Sequence, residues 1–204
     1  MIGIINYGSG NIQAISNIYN NLKINNIIVN NFDDFSKCNR LILPGVGSFD
    51  FVMNKLNSTG LVKKLNDLVL NKQFKILGIC VGMQILGRES EEGIEKGLGW
   101  LDVKVKKIKS NLKNNKLILP HMGWNNIQIN TKNEIIKNLN TNSEFYFLHS
   151  YFFDSNKEII NVAYTNYHNL FPSIINYKNI YGVQFHPEKS HDKGELILKN
   201  FAYL

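Results

Sequence analysis

The segment at residues 75–84 constrains the fold of this chain more than any other. It begins with an apolar run, places Cys80 between Gly78 and Gly82, and continues with residues that can form a helix. The pattern predicts a strand, a tight turn and a helix. Because small neighbours let a backbone bend sharply, such a turn projects its central side chain from the C-terminal edge of a sheet, where it can serve as a nucleophile. A small cysteine buried in a core strand would fit the segment equally well.

The composition is that of an ordinary globular protein. The chain has 204 residues, of which 44% are hydrophobic, so we expect one domain that spans residues 1–204. Its longest apolar runs are far shorter than the roughly 20 residues of a membrane span. Residues 1–6 fit a core strand better than a signal peptide, and two cysteines are too few for a disulfide framework. We therefore expect a cytoplasmic location, where a reducing environment suits a working thiol.

The net charge of +7 could indicate an anionic partner. The lysines are scattered, however, and their densest group, at residues 104–109, alternates with Val and Ile. This alternation is typical of the solvent-facing side of an edge hairpin. We therefore interpret these lysines as surface residues, and we expect neither a nucleic acid nor a membrane as a partner.

Alternating strands and helices predict a doubly wound α/β fold for the first half of the chain. Residues 1–7 are expected to form a strand, and apolar residues then recur at helical spacing between residues 12 and 22. Short strands are expected at 27–29 and 40–43, and helical segments at 49–56 and 61–70. This order favours a mostly parallel sheet with flanking helices, which binds its ligands at the C-terminal ends of the strands.

The second half is expected to consist mainly of strands, in an antiparallel or mixed arrangement. The expected strands lie at 101–108, 117–119, 124–129, 145–153, 159–165, 173–177 and 180–185, and a last helix lies at 194–201. The loop at residues 8–11 contains two glycines but lacks the further glycine and the acidic residue of a dinucleotide fingerprint. No nucleotide cofactor is therefore expected.

A histidine and a carboxylate, His186 and Glu188, follow the last expected strand. The residue before Pro187 is held extended, and side chains two positions apart in an extended chain share a face, with Cα atoms about 6.6 Å apart. Glu188 is therefore expected to orient His186. Together with Cys80, these residues have the composition of a thiol acyl-transfer triad, in which His186 takes the thiol proton and returns it to the leaving amine.

Backbone donors for an oxyanion are expected next to the nucleophile. The N–H group of Val81 follows Cys80 directly. Gly45, Val46 and Gly47 form a turn after an expected strand, and the two glycines can aim successive N–H groups at one point. We therefore expect these four residues to hold the oxyanion of a tetrahedral intermediate.

The chain has other candidates for the catalytic base. Only His186 precedes a carboxylate by two residues at the end of a strand; the competing histidines are His121, His149, His168 and His191. No histidine pair has the i, i+4 spacing of a helical metal site, and the two cysteines are far apart in the sequence. No metal is therefore expected.

These motifs resemble those of the class I glutamine amidotransferases. Residues 78–84 are similar to the nucleophile motif of that family, and residues 184–188 are similar to its His-x-Glu motif. Within the family, the resemblance is greatest to the glutaminase subunits of imidazole glycerol phosphate synthases, and it covers essentially the whole chain. The Pro-His-Met-Gly-Trp-Asn sequence is the most diagnostic part, and the segments that carry the resemblance are 6–11, 44–47, 90–93, 120–125, 149–151 and 186–190.

The resemblance implies a single glutamine amidotransferase type 1 domain that works without a cofactor. It implies the hydrolysis of L-glutamine to glutamate and ammonia through a thioester on Cys80. The positions that match the glutamine-binding ones of the family are Gln84, Glu92, His149, Ser150 and Tyr151.

The resemblance also implies a heterodimer with a (β/α)8-barrel cyclase subunit. The cyclase would use the ammonia to make imidazole glycerol phosphate and an aminoimidazole carboxamide ribotide in histidine biosynthesis. The positions that match partner-facing ones are Asn11, His121, Trp124 and Lys189. Judged by residue type alone, Trp124 also fits a strand-edge aromatic, and His121 and Lys189 also fit ordinary polar surface residues.

The chain departs from the family pattern at one turn. Where a Tyr-Gly pair is expected, Tyr167 and His168 are followed by Asn169, so the resemblance does not predict the conformation of this turn.

Two alternatives to the histidine pathway remain. The first is a paralogue that supplies ammonia to an amidotransferase acting on surface-polysaccharide sugars, which the sequences at 87–93 and 97–102 favour somewhat. The second is a non-catalytic scaffold with an inactive site. The presence of Cys80, His186 and Glu188 argues against the scaffold.

Overall fold

The computed structural model describes residues 1–109, 117–154 and 159–204. A 3₁₀ helix at Phe32–Lys37 and a π-helical turn at Asp67–Asn71 supplement the regular elements of the first half. Those elements are β1 (Ile2–Ile5), α1 (Ile12–Asn21), β2 (Asn26–Val29), β3 (Arg40–Leu43), α2 (Phe49–Ser58), α3 (Leu61–Asn66), β4 (Lys75–Ile79) and α4 (Val81–Gln84). The alternation of strands and helices predicted for this half is confirmed.

Strands dominate the second half, as expected. They are β5 (Glu89–Ser90), β6 (Lys104–Lys107), β7 (His121–Asn126), β8 (Gln128–Ile129), β9 (Glu144–His149), β10 (Tyr151–Asp154), β11 (Ile160–Tyr167), β12 (Asn169–Tyr177) and β13 (Ile180–Val183). Short 3₁₀ helices lie at Glu134–Ile136 and Pro187–Lys189, and α5 (His191–Tyr203) follows the second of them.

In the described part of the chain, eight strands form one large sheet in the order β2-β1-β3-β4-β13-β12-β11-β8. The pairings from β2 to β13 are parallel, and those from β13 to β8 are antiparallel. A small sheet has the order β10-β6-β5, and β7 pairs with β9. The expected doubly wound, mixed sheet with flanking helices is confirmed.

Four details of the strand prediction are wrong. The expected strand at 124–129 is divided at Ile127, because β7 pairs with β9 whereas β8 pairs with β11. No strand forms at 117–119; the Ile118 carbonyl accepts a hydrogen bond from the Tyr167 hydroxyl, and Pro120 has no N–H group to give to a ladder. The expected strand at 145–153 is divided at Ser150, because β9 pairs with β7 whereas β10 pairs with β6. Finally, β6 is the middle strand of its sheet and not the edge of a hairpin.

The lysines of β6 nevertheless face solvent, as expected. The Lys104 ammonium lies 2.5 Å from a carboxylate oxygen of Glu89, and that of Lys106 lies 2.6 Å from one of Asp154. All four side chains are at least one-third exposed. Exposed pairs of this kind contribute little to stability, so the basic residues here serve mainly to keep the strand's outer face solvated.

Two hydrophobic clusters cover the two faces of the parallel strands. Neighbouring strand residues alternate between them, so that Ile5 belongs to one cluster and Ile4 to the other. Helices α2 and α3 pack on the first face, and α1 and α5 on the second. The strands are therefore buried on both sides, which explains their near-continuous apolar sequence. Among the residues described, no helix combines the length and the apolarity needed to cross a membrane.

The C-terminal ends of β1, β3, β4 and β13 meet at one edge of the sheet, and the loops that follow them approach closely. A Cβ atom on Gly82 would lie 2.1 Å from the Leu43 carbonyl oxygen, and one on Gly45 would lie 2.4 Å from the Gly82 nitrogen. No rotamer change relieves a clash with backbone. Glycine at these two positions therefore allows the turn after β3 to lie directly on the start of α4.

We predict that Gly82→Ala lowers the free energy of unfolding by about 3 kcal/mol, because overpacking against fixed backbone forces the two loops apart. Gly8→Ala is the control, since a Cβ atom on Gly8 meets nothing within 4 Å and the residue has a φ of +87°. Its expected loss is about 1 kcal/mol, from backbone strain alone. Urea denaturation measures both losses. Equal losses would contradict the close contact at Gly82.

Candidate active site

Cys80 occupies the turn between β4 and α4 in a backbone conformation that usually requires glycine. Its φ is +54° and its ψ is −115°. Its N–H group donates to the Val183 carbonyl over 2.8 Å, and its own carbonyl accepts from the N–H groups of Met83 and Gln84 over 3.0 and 3.1 Å. These bonds hold the strained residue in place. The predicted strand, turn and helix are confirmed, and the sulfur lies at the sheet edge.

His186 and Glu188 form a buried pair after β13. The His186 Nδ1 atom lies 2.8 Å from the Glu188 Oε1 atom, and the two side chains are only 4% and 2% exposed. The expected contact is present, and His186 is extended before the proline as expected, but the chain does not stay extended as far as Glu188. Pro187 begins a 3₁₀ turn, a position that suits its fixed φ, and the turn carries Glu188 back to the imidazole.

The charges of the pair depend on each other and on the cysteine. Burial alone would lower the pKa of His186, but the charge interaction and the hydrogen bond with Cys80, together with the Glu188 carboxylate, raise it to about 10. Burial raises the pKa of Glu188, yet the hydrogen bonds from His186 and Asn11 bring it below its ordinary value. Because Nδ1 faces Glu188, Nε2 is the atom that serves Cys80. The arrangement favours a protonated imidazole that lies between the Cys80 sulfur and the Glu188 carboxylate.

The turn expected to hold an oxyanion lies next to Cys80, but one of its donors is occupied. The Val46 N–H group donates to the Ser9 hydroxyl oxygen over 3.3 Å, and the Ser9 hydroxyl donates to the Val46 carbonyl. Gly47 has a φ of +111°, which glycine adopts without strain. Val81 is the first residue of α4, so its N–H group has no acceptor within that helix.

The family model for glutamine amidotransferase class-I matches residues 3–203. The chain belongs to this family. The imidazole glycerol phosphate synthase subunit HisH of Leptospira interrogans is 45% identical over 204 residues, with 100% of each chain covered. The subunit HisH 2 of Methanococcus maripaludis is 46% identical over 203 residues, with 98% of each covered. The resemblance inferred from the motifs is confirmed.

A solved structure of a glutamine amidotransferase has the same fold as this family member. The TM-score is 0.75 at 16% identity, with 100% of this chain and 99% of the other covered. At this identity the likeness supports the architecture and no finer property.

Two residues that the resemblance implies for glutamine binding have side chains engaged within the amidotransferase. The amide nitrogen of Gln84 donates to the Tyr151 carbonyl over 2.9 Å and to the Gln184 side-chain oxygen over 3.0 Å. The Glu92 carboxylate accepts from the Phe49 N–H group over 2.8 Å, and burial raises its pKa. These contacts tie the loop after β5 and the end of α4 to their neighbours.

His149 and His121 form a buried chain of hydrogen bonds. The Tyr151 carbonyl can only accept, so His149 Nδ1 carries the proton in that 2.8 Å bond. His149 Nε2 then accepts from His121 Nδ1 over 3.0 Å, and His121 Nε2 accepts from the Asn125 amide over 3.1 Å. Both ring nitrogens of His149 are therefore occupied, and in this arrangement the ring offers no nitrogen to a ligand.

The four positions implied for the partner interface differ in exposure. His121 is 3% exposed and stacks on Phe147 and Tyr167, so the interpretation of His121 as an ordinary surface residue is wrong. Trp124 is 46% exposed, and Lys189 is exposed as well. Asn11 is half-buried, and its amide donates to Glu188 over 2.7 Å.

The remaining histidines lie outside the Cys80 cluster. His191 stacks on Trp124 with ring centroids 5.1 Å apart. His168 forms the turn between β11 and β12 with a φ of +57°, so a histidine adopts the left-handed conformation at the turn that the resemblance left unpredicted.

Sequence reasoning gave no individual role to Gln184 or Ser9, and it assigned Asn11 to the partner interface and not to a contact with Glu188. Gln184 is fully buried, and its amide nitrogen lies 3.8 Å from the Cys80 sulfur. All three residues lie near the ends of β1 or β13, so their place at the ligand-binding edge of the predicted sheet was the available signal.

We predict that the buried histidines make stability depend on pH. Burial lowers the pKa of His121 to about 4 and that of His149 to about 3. The unfolded chain takes up these protons below about pH 6.5, so the contribution of these two histidines to the free energy of unfolding is largest above that pH. It falls as the pH decreases toward 4, by up to about 1.4 kcal/mol per pH unit for each histidine.

His121→Asn tests this dependence because asparagine retains a donor for His149. The slope of unfolding free energy between pH 5 and 6, measured with urea, should decrease by about 1.4 kcal/mol per pH unit. The matched control is His168→Asn, since asparagine tolerates the left-handed conformation at that turn. The control should leave the slope unchanged. An unchanged slope in His121→Asn would show that this ring is not a buried neutral group.

Proposed function

We propose that this chain is the glutaminase subunit of an imidazole glycerol phosphate synthase in the cytoplasm. It hydrolyses L-glutamine and delivers ammonia to a (β/α)8-barrel cyclase subunit, which makes imidazole glycerol phosphate and an aminoimidazole carboxamide ribotide. The observation that carries the proposal is the juxtaposition of Cys80, on its strained turn, with the buried His186–Glu188 pair. The HisH names of relatives that match along the whole chain support the pathway and the existence of a partner.

The proposed reaction begins with attack of the Cys80 thiolate on the side-chain carbonyl carbon of glutamine. The N–H group of Val81 and those of residues 45–47 hold the resulting oxyanion. The carbon–nitrogen bond then breaks, and His186 Nε2 protonates the departing nitrogen, which leaves as ammonia. A thioester on Cys80 and a neutral His186 remain, while Glu188 keeps the Nδ1 proton in place.

Water completes the cycle. Neutral His186 takes a proton from the water as its oxygen attacks the thioester carbon, and the carbon–sulfur bond breaks. Glutamic acid is released and ionises to glutamate, and the thiolate and the imidazolium are restored. Binding of glutamine is assigned to the segments at Gln84, Glu92 and 149–151; for His149, the contribution comes from its main chain, since its ring nitrogens are occupied.

The partner surface is assigned to the strand β7 and the turn after β13. Met122 and Trp124 project from the same side of β7 and are 65% and 46% exposed. The Lys189 ammonium lies 5.6 Å from the centre of the Tyr146 ring, which itself contacts Trp124. An exposed apolar pair with a cation beside it is a suitable surface for another protein.

Partner binding is proposed to switch on the oxyanion site. The Val46 N–H group is held by Ser9, so it does not serve an oxyanion in the structure. Val46 lies between two glycines and is 42% exposed, so its peptide can rotate at little steric cost. In a subunit that has no partner to receive the ammonia, this donor is turned away, and the subunit would therefore hydrolyse little glutamine.

We predict that Cys80→Ala abolishes glutamate release, because no other side chain in the cluster can form a thioester. The complex should still make imidazole glycerol phosphate when ammonium salts are supplied at high pH. Cys38→Ala is the matched control, since Cys38 is also a buried free thiol but lies at the end of the 3₁₀ helix before β3. It should keep wild-type activity. Wild-type glutamate release by Cys80→Ala would refute the nucleophile assignment.

We predict that the isolated chain releases glutamate about 10²–10³ times more slowly than the complex with a cyclase and its ligand, the scale of one oxyanion donor. Ser9→Ala removes the hydroxyl that holds Val46 and should raise the rate of the isolated chain while leaving that of the complex near wild type. Glutamate release measured with and without the partner tests both. Equal rates for the wild-type chain in the two conditions would exclude gating.

The polysaccharide alternative remains a second candidate. The relative from Methanococcus maripaludis is named HisH 2, a numbering that indicates more than one such chain in an organism. Stimulation of glutamate release by a sugar-modifying amidotransferase system, and not by the cyclase, would favour this alternative.

A further inference from the structure

We propose that Asn11 is a positioning residue for the Glu188 carboxylate. By donating to that carboxylate, it keeps Glu188 ionised and oriented, and so holds His186 against Cys80. The inference rests on the proposed function for its kinetic test, but its chemical test does not need that function.

The hydrogen bonds from the His186 and Asn11 side chains converge on one oxygen of the carboxylate. The Asn11 amide nitrogen lies 2.7 Å from Oε1 of Glu188, and His186 Nδ1 lies 2.8 Å from the same atom. The other oxygen, Oε2, is buried without a hydrogen-bond partner among the described residues. Two donors at one oxygen therefore fix the orientation of the carboxylate, and Asn11 is the neutral one.

Helix capping does not account for the asparagine. Asn11 immediately precedes α1, where asparagine is a favoured residue, yet its side chain makes no capping bond. Two other asparagines of this chain do cap: Asn31 accepts from the N–H groups of Asp33 and Asp34, and Asn133 accepts from that of Ile135. The Asn11 amide is instead directed across the sheet edge to Glu188, 177 positions later in the chain.

The amide supplies something that His186 cannot supply throughout the reaction. His186 loses its positive charge when it protonates the departing nitrogen, and its attraction for Glu188 weakens at that moment. The Asn11 amide has no titratable proton, so its bond to the carboxylate persists through both halves of the cycle. The lowered pKa of Glu188, to which this bond contributes, agrees with the geometry.

The other titratable groups around the cluster do not change charge between pH 6 and 9 or have partners elsewhere. Burial lowers the pKa of His149, which lies near His186, to about 3, and it raises the pKa of Tyr7, which lies near Cys80. Lys189, on the same turn, lies over the Tyr146 ring of β9. Asp192 of α5 pairs with Lys193 over 3.0 Å and is largely exposed. Glu144 of β9 is exposed. A change in pH dependence on substitution of Asn11 therefore reports on the cluster of Asn11, Glu188, His186 and Cys80.

The test compares Asn11→Ala with Asn11→Asp in the complex with the cyclase. Asn11→Ala should lower kcat about tenfold at every pH between 6 and 9 with little change in KM, the scale of one lost hydrogen bond to a charged group. In Asn11→Asp, a proton shared between the two carboxyl groups lets the side chain at position 11 donate to Glu188 at low pH. When this proton is lost at higher pH, the two negative carboxylates repel each other. The kcat relative to wild type should therefore fall about tenfold as the pH rises from 6 to 9.

A helix cap would behave differently, because aspartate caps a helix as well as asparagine and suits its dipole. Asn11→Asp activity equal to wild type at all pH values would overturn the proposal. So would wild-type kcat in Asn11→Ala. Asn17→Asp, the same change at an exposed position of α1, is the control, and its kcat relative to wild type should stay near one at every pH.

A second readout separates this inference from the proposed function. The rate of Cys80 alkylation by iodoacetamide, followed by mass spectrometry on the isolated chain, reports the thiolate without any glutamine or partner. At pH 7 it should be about tenfold slower in Asn11→Ala than in wild type, and the difference should vanish near pH 10. If wild type released no glutamate with any partner, the proposed function would fail, and the alkylation profiles would still decide the role of Asn11. Identical alkylation profiles for Asn11→Ala and wild type would overturn the role proposed for Asn11.

Discussion

The candidate site depends on a contact between two stretches of backbone at the C-terminal edge of the sheet. The Leu43 carbonyl occupies the space where a side chain on Gly82 would be, and Gly45 lies directly over the Gly82 amide. Because these glycines have no Cβ atoms, the end of β3 and the start of α4 form one closely packed unit. Cys80 thus has a fixed frame, while Val46 in the neighbouring loop is exposed and donates its N–H group to Ser9.

The same edge of the sheet carries buried charge. His186 and Glu188 are almost fully withdrawn from water, and burial of separate charges would cost more than any single contact restores. The cost is offset by a chain of partners that runs from Cys80 through His186 and Glu188 to Asn11. The state of each of these four side chains therefore depends on its neighbours as well as on its burial, and the site behaves as a unit.

The sequence predicted the parts of the fold that follow from periodicity and from the chemistry of single motifs. Alternating strands and helices, the turn at Cys80 and the contact between His186 and Glu188 are of this kind. Sequence reasoning failed where the outcome depends on distant pairing: the division of a strand at Ser150, the central position of β6, and the burial of His121 between Phe147 and Tyr167. The direction of the Asn11 amide likewise depends on a residue far along the chain, which local preference cannot reveal.

The position of β13 has a consequence for how the chain folds during its synthesis on the ribosome. This strand follows every other described strand in the sequence, yet it lies in the interior of the sheet between β4 and β12, and it leads directly to His186 and Glu188. A nascent chain that has emerged only as far as α4 has its cysteine but no imidazole to activate it. The sheet stays divided until β13 inserts, so folding must await long-range pairing, and the proposed activation of the thiol requires completion of the fold.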